Sequence, residues 1–390
     1  MAHILVTHRD FDTLAGAESV CVNILDALQA EHELTLLTLT PPDIDAANDQ
    51  FQTDVSESIS IQPPQHIRSL ADISTGVLNT LFGRTGAYPR LHAALLNWYA
   101  RRHCSEYDLV ISTWNEANFD HSSMVYVHSP AFNLRHTPEP HGVSGTKFEA
   151  FDYLLSRLAG FSRAQLTSDL VVTNSSWTQD LVNRTYNRQG TVVPPPVLTD
   201  DIERRPWSER EPGFVTVGRV ARDKRTKKCI RIVDGVHEKI PEIHLHIVGP
   251  ESDVESEYVE EVREMAEARE YVQYERLVSR ERLTELLASH RYGLHGKENE
   301  HFGITVAEFV EAGMIPFVAP GGGQVELLNN QSALIYDSLS DAVERIVAVM
   351  NGDLDSDVLR DALPDIEAEY GQDRFQREIT EQVRQLLQRI

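Results

Sequence analysis

Cysteine is scarce in this chain of 390 residues. The three cysteines, Cys21, Cys104 and Cys229, lie far apart and form no C-x-x-C pair. An odd and scattered set of thiols supports neither a disulfide framework nor a thiolate metal site. The cysteine content therefore fits a protein kept in a reducing compartment.

Basic residues are few relative to acidic ones. There are 36 Lys plus Arg against 60 Asp plus Glu, so the formal net charge is −24 at pH 7. Binding to duplex nucleic acid requires cations that neutralise its phosphates. The charge balance thus argues against a nucleic-acid partner.

Lysine is rarer still, because 30 of the 36 basic residues are arginine. So large a net charge repels itself in dilute buffer and is tolerated where concentrated salt screens it, within about 3 Å at 1 M. We interpret the chain as a cytoplasmic protein of a salt-loving microbe. An ordinary acidic cytosolic protein is the alternative.

Long apolar runs are absent from the sequence. No run approaches the roughly 20 residues that a membrane span needs. The start, Met1 to Asp10, reads as a β-strand and lacks the charged leader and long apolar stretch of a signal peptide. We therefore expect a cytoplasmic location.

Short apolar runs alternate with helical patterns along most of the chain. The run His3 to Thr7 is typical of the strands, and Ala17 to Leu28 of the helices. This alternation predicts an α/β protein with parallel, doubly wound sheets. A proline-rich run, Val193 to Val197, and the polar segment Asp200 to Pro212 separate two such series.

The two series predict two Rossmann-like domains that face one another, residues 1–199 and 200–372. The amphipathic segment 373–390 is expected to form a helix that packs back across the interdomain region. Sheets of this kind bind ligands at the carboxyl ends of their strands. The cleft between the domains is therefore the expected site.

A pair of glutamates with seven residues between them, Glu300 and Glu308, marks the most informative segment. A helix that begins near Gly303 leaves the backbone N–H groups of Phe302, Gly303 and Ile304 unpaired, and such a helix start suits a phosphate. Glu308, inside the helix, could accept hydrogen bonds from a diol such as ribose. Alone the pair is weak evidence, since acidic residues at a helix start also complement its dipole.

Two further patterns bear on metals. His244 and His246 alternate on a predicted strand and share one face, but no third ligand is evident nearby, so packing or a surface position is favoured. Asp43-Ile-Asp45 follows a Pro-Pro pair in an expected loop and lies outside any suitable setting for a metal. We predict no obligatory metal.

The segment Glu300 to Glu308, followed by Phe309-Val-Glu-Ala-Gly313, resembles the signature of the retaining, nucleotide-sugar-dependent glycosyltransferases of family 4. The stretch Asn299 to Ile304 is especially similar to eukaryotic cytosolic mannosyltransferases that extend dolichol-linked oligosaccharides. The resemblance implies the GT-B fold of two Rossmann-like domains. It also implies a donor such as GDP-mannose or UDP-glucose.

The resemblance further implies roles for individual residues. Arg219 and Lys224 would hold the donor diphosphate, although a solvated turn is the alternative for both. Glu300 would orient the sugar hydroxyls, and Glu308 would bind the ribose. The resemblance also places Leu277 and Val278 beside the base and Gly16 in the small-residue loop of the first domain. It places His128 beside the transferred sugar. The alternative for His128 is a structural histidine at a strand end whose hydrogen bonds are met within the protein.

The implied reaction moves a mannosyl or glucosyl group, with retention, to an acceptor hydroxyl in lipid-linked or surface glycan synthesis, without cofactor or metal. Two alternatives stay open: a sugar-nucleotide epimerase or phosphorylase of GT-B shape, and a non-catalytic nucleotide-sugar-binding module. A phosphorylase would need a pyridoxal phosphate lysine, and none of the six lysines has a convincing setting.

The stretch Arg84 to His103 is basic within an acidic domain. Its arginines Arg90, Arg101 and Arg102 surround apolar residues, so it could rest on an anionic membrane or a lipid-linked acceptor. This is the basis for expecting peripheral contact at the inner face of the membrane. A core-facing helix with solvated arginines is an equal alternative.

Overall fold

A computed structural model describes residues 1–82, 88–137, 145–252 and 254–390. Two compact units divide the chain. The N-terminal unit comprises Met1–Pro196 and Gln372–Ile390, and the C-terminal unit comprises Val197–Gly371. The chain leaves the first unit at the proline-rich run and returns to it at the last helix.

Both units have α/β architecture. Their strands in chain order are β1 (His3–Thr7), β2 (Glu33–Leu37), β3 (Ser60–Gln62), β4 (Leu109–Ser112), β5 (Ser123–Val127), β6 (Leu170–Thr173), β7 (Thr191–Val192), β8 (Glu211–Val217), β9 (Leu245–Val248), β10 (Val272–Arg276), β11 (His290–His295) and β12 (Ile315–Val318).

The helices in chain order are α1 (Gly16–Leu28), α2 (Ile44–Phe51), α3 (Gln65–Phe82), α4 (Pro89–His103), α5 (Thr146–Leu158), α6 (Ser176–Tyr186), α7 (Thr226–His237), α8 (Ser256–Glu267), α9 (Arg280–Ser289), α10 (Ile304–Glu311), α11 (Gly323–Leu327), α12 (Leu339–Met350), α13 (Ser356–Asp361), α14 (Ile366–Tyr370) and α15 (Gln372–Leu387). Short 3-10 turns include Arg222–Lys224, just before α7.

Each unit contains one parallel sheet in the described part of the chain. The first has seven strands in the order β3-β2-β1-β4-β5-β6-β7, and the second has five in the order β10-β9-β8-β11-β12. In both, the strand order reverses beside the first strand of the unit, which is the doubly wound Rossmann arrangement. The predicted fold of two Rossmann-like units is confirmed.

Burial on both faces explains why the central strands are continuous apolar runs. In β5 all five residues are buried, and in β9 all four are buried. Parallel sheets covered by helices on both faces require such strands. The edge strands β3 and β7 have only three and two residues, and none of them is buried, so the apolar pattern gave no sign of them.

The C-terminal helix α15 belongs to the N-terminal unit. Phe375, Ile379, Val383 and Leu386 are buried on one face of it and share a core cluster with residues of α1. Gln376 at its second turn donates a hydrogen bond of 2.9 Å to the Asp26 carboxylate of α1. The last segment thus completes the unit that the first 196 residues begin.

The segment Asp43-Ile-Asp45 is not a loop, contrary to the sequence-based expectation. Asp43 is the N-cap of α2, and its carboxylate accepts a hydrogen bond of 3.1 Å from the Ala46 amide. Aspartate stabilises a helix start in this way because it satisfies a free backbone N–H. The acidic pair therefore begins a helix.

None of the helices in the described ranges has both the length and the apolar composition that crossing a bilayer requires.

Candidate functional site

The predicted site residues of the C-terminal unit follow the carboxyl ends of two neighbouring strands. Arg219 and Lys224 lie after β8, and Glu300 lies after β11. These two strands pair in parallel at the point where the strand order of the sheet reverses. Ligands of doubly wound sheets bind at such a point.

Glu300 lies at the centre of a cluster of charged and polar side chains. Its Oε2 is 2.6 Å from Lys224 Nζ and 3.3 Å from His295 Nε2. Its Oε1 is 3.0 Å from Lys297 Nζ. The family resemblance implied that Lys224 and Glu300 bind different parts of a donor, but here they contact each other directly.

The charge state of this cluster follows from its surroundings. Burial by itself would raise the pKa of Glu300, but the Lys224 charge, the His295 hydrogen bond and the Lys297 charge outweigh burial and hold the pKa well below its usual range. Burial lowers the pKa of His295, so its ring is neutral at pH 7. Two ammonium groups thus face one carboxylate, and the cluster carries one net positive charge.

Arg219 adds a further positive charge to this edge of the sheet. Its side chain is exposed, and no described residue forms an ion pair or hydrogen bond with its guanidinium. Lys224, by contrast, lies over Gly218, where an added Cβ would be 3.7 Å from the lysine side chain. One cation is therefore held in place and the other is open to solvent.

Helix α10 begins immediately after this cluster. Its N-cap Gly303 has φ +101°, a backbone conformation that residues with a side chain rarely adopt. Within the described chain, no acceptor takes the backbone N–H groups of Phe302, Gly303 or Ile304. Open amides and the positive end of a helix dipole are the features by which helix starts bind anions.

The glycine turn before α11 holds the backbone of Glu300. Gly322 has φ +87°, and a Cβ there would lie 2.0 Å from the Glu300 carbonyl oxygen. The buried amide of Gln324 donates hydrogen bonds to the carbonyls of Lys297 (2.9 Å) and Ala319 (2.8 Å). Glu300 is thus positioned by backbone packing as well as by its ion pairs.

Glu308 is also paired with a cation. Its Oε1 accepts a hydrogen bond from Arg280 Nη1. Arg280 also binds both oxygens of Asp201, at 2.7 and 2.9 Å. Glu308 Oε2 has no hydrogen-bond partner among the described residues, so one acceptor oxygen is available to a ligand.

Leu277 and Val278 lie in the turn between β10 and α9, next to Arg280. The Leu277 side chain is 73% exposed, whereas Val278 packs partly against a core cluster. An exposed leucine beside a fixed arginine is an apolar surface on which a planar ring can rest. The arrangement is compatible with the expected base site.

In the N-terminal unit, Gly16 is the first residue of α1. A buried pair behind this loop was not identified from the sequence: His8 Nε2 lies 3.4 Å from Glu18 Oε1. Glu18 Oε2 also accepts a hydrogen bond of 3.1 Å from the Ala15 amide. The pair fixes the small-residue loop, and the only sequence sign of it was a histidine directly after β1.

His128 follows β5 and its ring is held by the backbone. Its Nε2 lies 3.0 Å from the Thr113 carbonyl, to which it donates, and its own amide donates to Asn115 Oδ1 at 2.8 Å. Burial lowers the pKa of His128 to about 4, so the ring is neutral at pH 7. The ring N–H of His128 is therefore already bonded to a backbone carbonyl, as expected for a histidine that has a structural role at a strand end.

Helix α4 is a core helix, while Arg84 lies outside the described residues. The leucines of α4 are buried, Arg90 pairs with Asp152, and Arg101 pairs with Asp120. Arg102 lies over the Trp98 ring at 3.8 Å. The core-facing alternative is therefore the correct description of this helix.

The expectation that His244 and His246 lack a nearby third ligand is wrong. His290, 44 residues further along the chain than His246, brings one ring nitrogen to within 4.8 Å of one ring nitrogen of each of the other two. The sequence gave no sign of this contact, because it arises from the pairing of strands.

Comparison with known proteins defines the class of this fold and site. Residues 199–360 match the family model described as Glycosyl transferases group 1. The structure has a TM-score of 0.69 with HepE of Anabaena, solved with UDP and glucose, at 14% identity over 99% of this chain and 100% of that one. The chain thus has the GT-B fold, and most of its C-terminal unit is similar to the group 1 glycosyltransferase model.

Two curated relatives match this chain over only part of its length. The UDP-N-acetylglucosamine-peptide N-acetylglucosaminyltransferase GtfA subunit of Streptococcus pneumoniae is 28% identical over 150 residues, 38% of this chain and 28% of the relative. The GDP-Man:Man(3)GlcNAc(2)-PP-Dol alpha-1,2-mannosyltransferase of Eremothecium gossypii is 25% identical over 218 residues, 51% of this chain and 37% of the relative. This chain therefore spans about a third of the length of these relatives.

Proposed function

We propose that the protein is a retaining glycosyltransferase that moves a hexosyl group from a nucleoside-diphosphate sugar to an acceptor hydroxyl. The observation that carries the proposal is the cluster of Lys224, Lys297 and Glu300 beside the open start of α10. Cations and free amides suit a diphosphate, and a carboxylate among them suits the hydroxyls of the attached sugar.

The diphosphate would be bound by Arg219, by Lys224 and by the amides at Gly303. Together with Arg219, the cluster of Lys224, Lys297 and Glu300 carries two net positive charges, which match the two charges of a nucleoside-diphosphate sugar without a metal ion. Drawing Lys224 toward the phosphate loosens its contact with Glu300. The carboxylate can then accept hydrogen bonds from the sugar, while Lys297 and His295 keep it ionised and in place.

Transfer breaks the bond between the anomeric carbon and the diphosphate oxygen. The acceptor oxygen forms its bond to the anomeric carbon on the same face, and its proton passes to the departing phosphate oxygen. The negative charge that develops on the leaving group is stabilised by Arg219, Lys224 and the α10 amides. Because the acceptor attacks the face from which the diphosphate departs, the anomeric configuration is retained without a side chain attacking the sugar from the opposite face.

The nucleoside would be bound by the segment around Arg280. The free oxygen of Glu308 accepts hydrogen bonds from the ribose hydroxyls, and Arg280 fixes the orientation of that carboxylate. Leu277 and Val278 form the surface for the base. The base and sugar we propose are those of GDP-mannose or UDP-glucose, in keeping with the GDP-mannose and UDP named for the similar proteins.

The acceptor we propose is a glycan or a lipid-linked glycan, bound by the N-terminal unit near Gly16 and His128. The named activity of the Eremothecium relative, on a dolichol-linked glycan, supports a lipid-linked acceptor. A cytoplasmic location fits the three cysteines, all free and buried.

Peripheral membrane contact is part of this proposal, but α3 supplies a better surface for it than α4. Leu70, Ile73 and Val77 are 44%, 65% and 52% exposed and lie on one face of α3. An exposed apolar stripe on an amphipathic helix suits the headgroup region of a bilayer. The arginines of α4 are instead occupied within the protein.

The function is tested by incubating the purified protein, in about 3 M KCl, with a panel of nucleoside-diphosphate hexoses and simple glycoside acceptors. The expected product is a glycoside whose anomeric configuration, read by NMR, is that of the donor. Inversion would contradict the retaining mechanism. Epimerised donor without transfer would favour a sugar-nucleotide epimerase, and binding without any chemistry would favour a binding module.

A further inference from the structure

Three histidines meet at the amino-terminal edge of the five-stranded sheet, at the opposite ends of the strands from Glu300. His244 directly precedes β9, His246 lies within β9, and His290 is the first residue of β11. One ring nitrogen from each lies within 4.8 Å of the others. His246 and His290 are 5% and 3% exposed, so the cluster is built into the unit and is not a chance surface contact.

A glycine makes this meeting possible. Strand β8 lies between β9 and β11, and its residue beneath the His244 ring is Gly213. A Cβ at Gly213 would lie 2.3 Å from His244 Nε2 and 2.6 Å from its Cε1. Because no side chain is present there, the His244 ring crosses β8 and brings its Nε2 to 2.9 Å from His290 Nε2.

The outer nitrogens of the two buried rings are already engaged. His246 Nδ1 donates to Glu275 Oε1 at 2.8 Å, and His290 Nδ1 donates to the Leu286 carbonyl at 2.8 Å. In both rings this leaves Nε2 as the unprotonated nitrogen, and without an ion the Nε2 of His290 accepts the hydrogen bond from His244 Nε2. Metal-binding histidines are held in the same way, with the second nitrogen bonded to a carboxylate or a carbonyl.

A carboxylate lies close to the exposed side of the cluster. Glu211 Oε2 is 3.5 Å from His244 Nε2, and Glu211 pairs with His290 in the register of β8 and β11. Glu275 Oε1 also accepts a hydrogen bond of 3.0 Å from Arg282 Nη2, so Glu275 orients the His246 ring and is not itself a metal ligand. Three imidazoles and one carboxylate are a donor set for a tetrahedral ion such as zinc, whereas magnesium and calcium prefer six or more oxygens.

We propose that His244, His246 and His290 bind one Zn²⁺ ion through their Nε2 atoms, with Glu211 as the fourth ligand. Tetrahedral zinc with bonds of about 2.1 Å needs its nitrogens roughly 3.4 Å apart. The ligand nitrogens, 2.9 Å apart between His244 and His290 and within 4.8 Å overall, reach this spacing by small side-chain rotations when the ion binds. The ion ties β8, β9 and β11 together. It is structural and takes no part in transfer at the opposite edge.

Burial also favours the neutral form of two of the three rings. It lowers the pKa of His290 to about 4 and lowers that of His244 as well. Neutral imidazoles bind zinc without first releasing a proton at pH 7.

The test uses the intact 390-residue chain, freed of metal with a chelator and exchanged into about 1 M potassium acetate to screen its charge. Zinc is titrated by calorimetry, and Co²⁺ is used as a spectroscopic probe of coordination. We expect one ion per chain, the intense visible absorption of four-coordinate cobalt, and a higher thermal midpoint with zinc. Failure of the wild-type protein to bind zinc would overturn the proposal.

His244→Gln is the central variant, because this side chain is the least buried of the three and its replacement should leave the fold intact. We expect at least a tenfold loss of zinc affinity and loss of the four-coordinate cobalt spectrum. Glu211→Gln, on the exposed strand end, should show a smaller loss in the same direction. Both variants remain informative if replacing His246 or His290 prevents folding.

His237→Gln is the matched control. His237 ends α7 in the same unit, and its ring is stacked on Tyr271 at 3.7 Å, outside the cluster. It should bind zinc as the wild type does. Equal zinc affinity in the wild type, His244→Gln and His237→Gln would assign the binding to scattered surface carboxylates and contradict the proposal.

Discussion

The two glutamates of the C-terminal unit, Glu300 and Glu308, hold cations of different kinds. Glu300 faces two lysines, whose flexible side chains can move to a phosphate. Glu308 faces Arg280, which also donates two hydrogen bonds to the Asp201 carboxylate. One carboxylate is therefore in an exchangeable contact and the other in a fixed one.

This difference leads to a prediction for two matched substitutions. Glu300→Gln keeps the shape but removes the charge, so nucleoside diphosphate should still bind, while turnover should fall by orders of magnitude. Glu308→Gln should weaken binding of the nucleotide itself. Affinity by calorimetry and turnover of bound donor are compared in high salt, with circular dichroism as the check on folding. Reduced affinity with normal turnover in Glu300→Gln would mean that the two roles are misassigned.

His128 predicts a pH dependence of stability. Its pKa is about 4 in the folded protein, against 6.5 for an ordinary histidine. At this residue the unfolded chain therefore binds more protons between these values, so the contribution of His128 to the free energy of unfolding falls as pH drops from 6.5 to 4. His128→Gln, whose amide can still donate to Thr113, should flatten that fall. An unchanged slope in chemical denaturation would contradict the lowered pKa of His128.

At the level of elements, the start of α10 depends on one glycine. An alanine at Gly303 must adopt φ near +101°, with its Cβ 3.2 Å from that of Gln324. The expected cost is on the order of 1–3 kcal/mol of stability, together with weaker binding of nucleoside diphosphate, because the amides move.

Gly352→Ala is the control for this effect. Gly352 also has a positive φ, +79°, but a Cβ added there would meet no atom within 4 Å, and the residue lies after α12. Thermal unfolding should show some destabilisation of both variants, whereas calorimetry should show lost diphosphate affinity only in Gly303→Ala. Normal affinity in a folded Gly303→Ala variant would exclude the α10 amides from the site.

The central elements were predictable from the sequence because their apolar runs are buried on both faces. Strand β1 has the bounds expected from sequence. The short edge strand β7 and the helix cap at Asp43 were missed, because neither produces an apolar pattern. Local composition does not encode where a two-residue strand pairs.

The contacts within the candidate site were less predictable than its location. Strand order and the glutamate pair located the site, but the pairing of Lys224 with Glu300 joins residues 76 positions apart. The contact between His244 and His290 spans 46 positions and depends on the gap at Gly213. Such contacts are determined by the register of neighbouring strands, which one sequence does not reveal.

For the molecule as a whole, the net charge of −24 predicts that folding depends on salt. Screening acts over about 10 Å in 0.1 M salt and over less than about 3 Å in 3 M. The thermal midpoint should therefore be higher in about 3 M KCl than in about 0.1 M KCl. A non-ionic osmolyte is the control for excluded-volume effects. Equal midpoints in the two salt concentrations would contradict the interpretation as a salt-adapted protein.

The most direct test of the donor site compares the affinity of the intact protein for a nucleoside diphosphate and for the matching nucleoside. In the wild type the diphosphate should bind far more tightly. Arg219→Ala and Lys224→Ala should each cost about 1.5–3 kcal/mol with the diphosphate and little with the nucleoside, because the lost charge is directed at phosphate. Arg222→Ala is the control, since Arg222 pairs with Glu257 at the surface. Calorimetry in high salt should show this selective loss, and equal losses for both ligands in the Arg219 and Lys224 variants would contradict the assignment of this site to a nucleoside-diphosphate sugar.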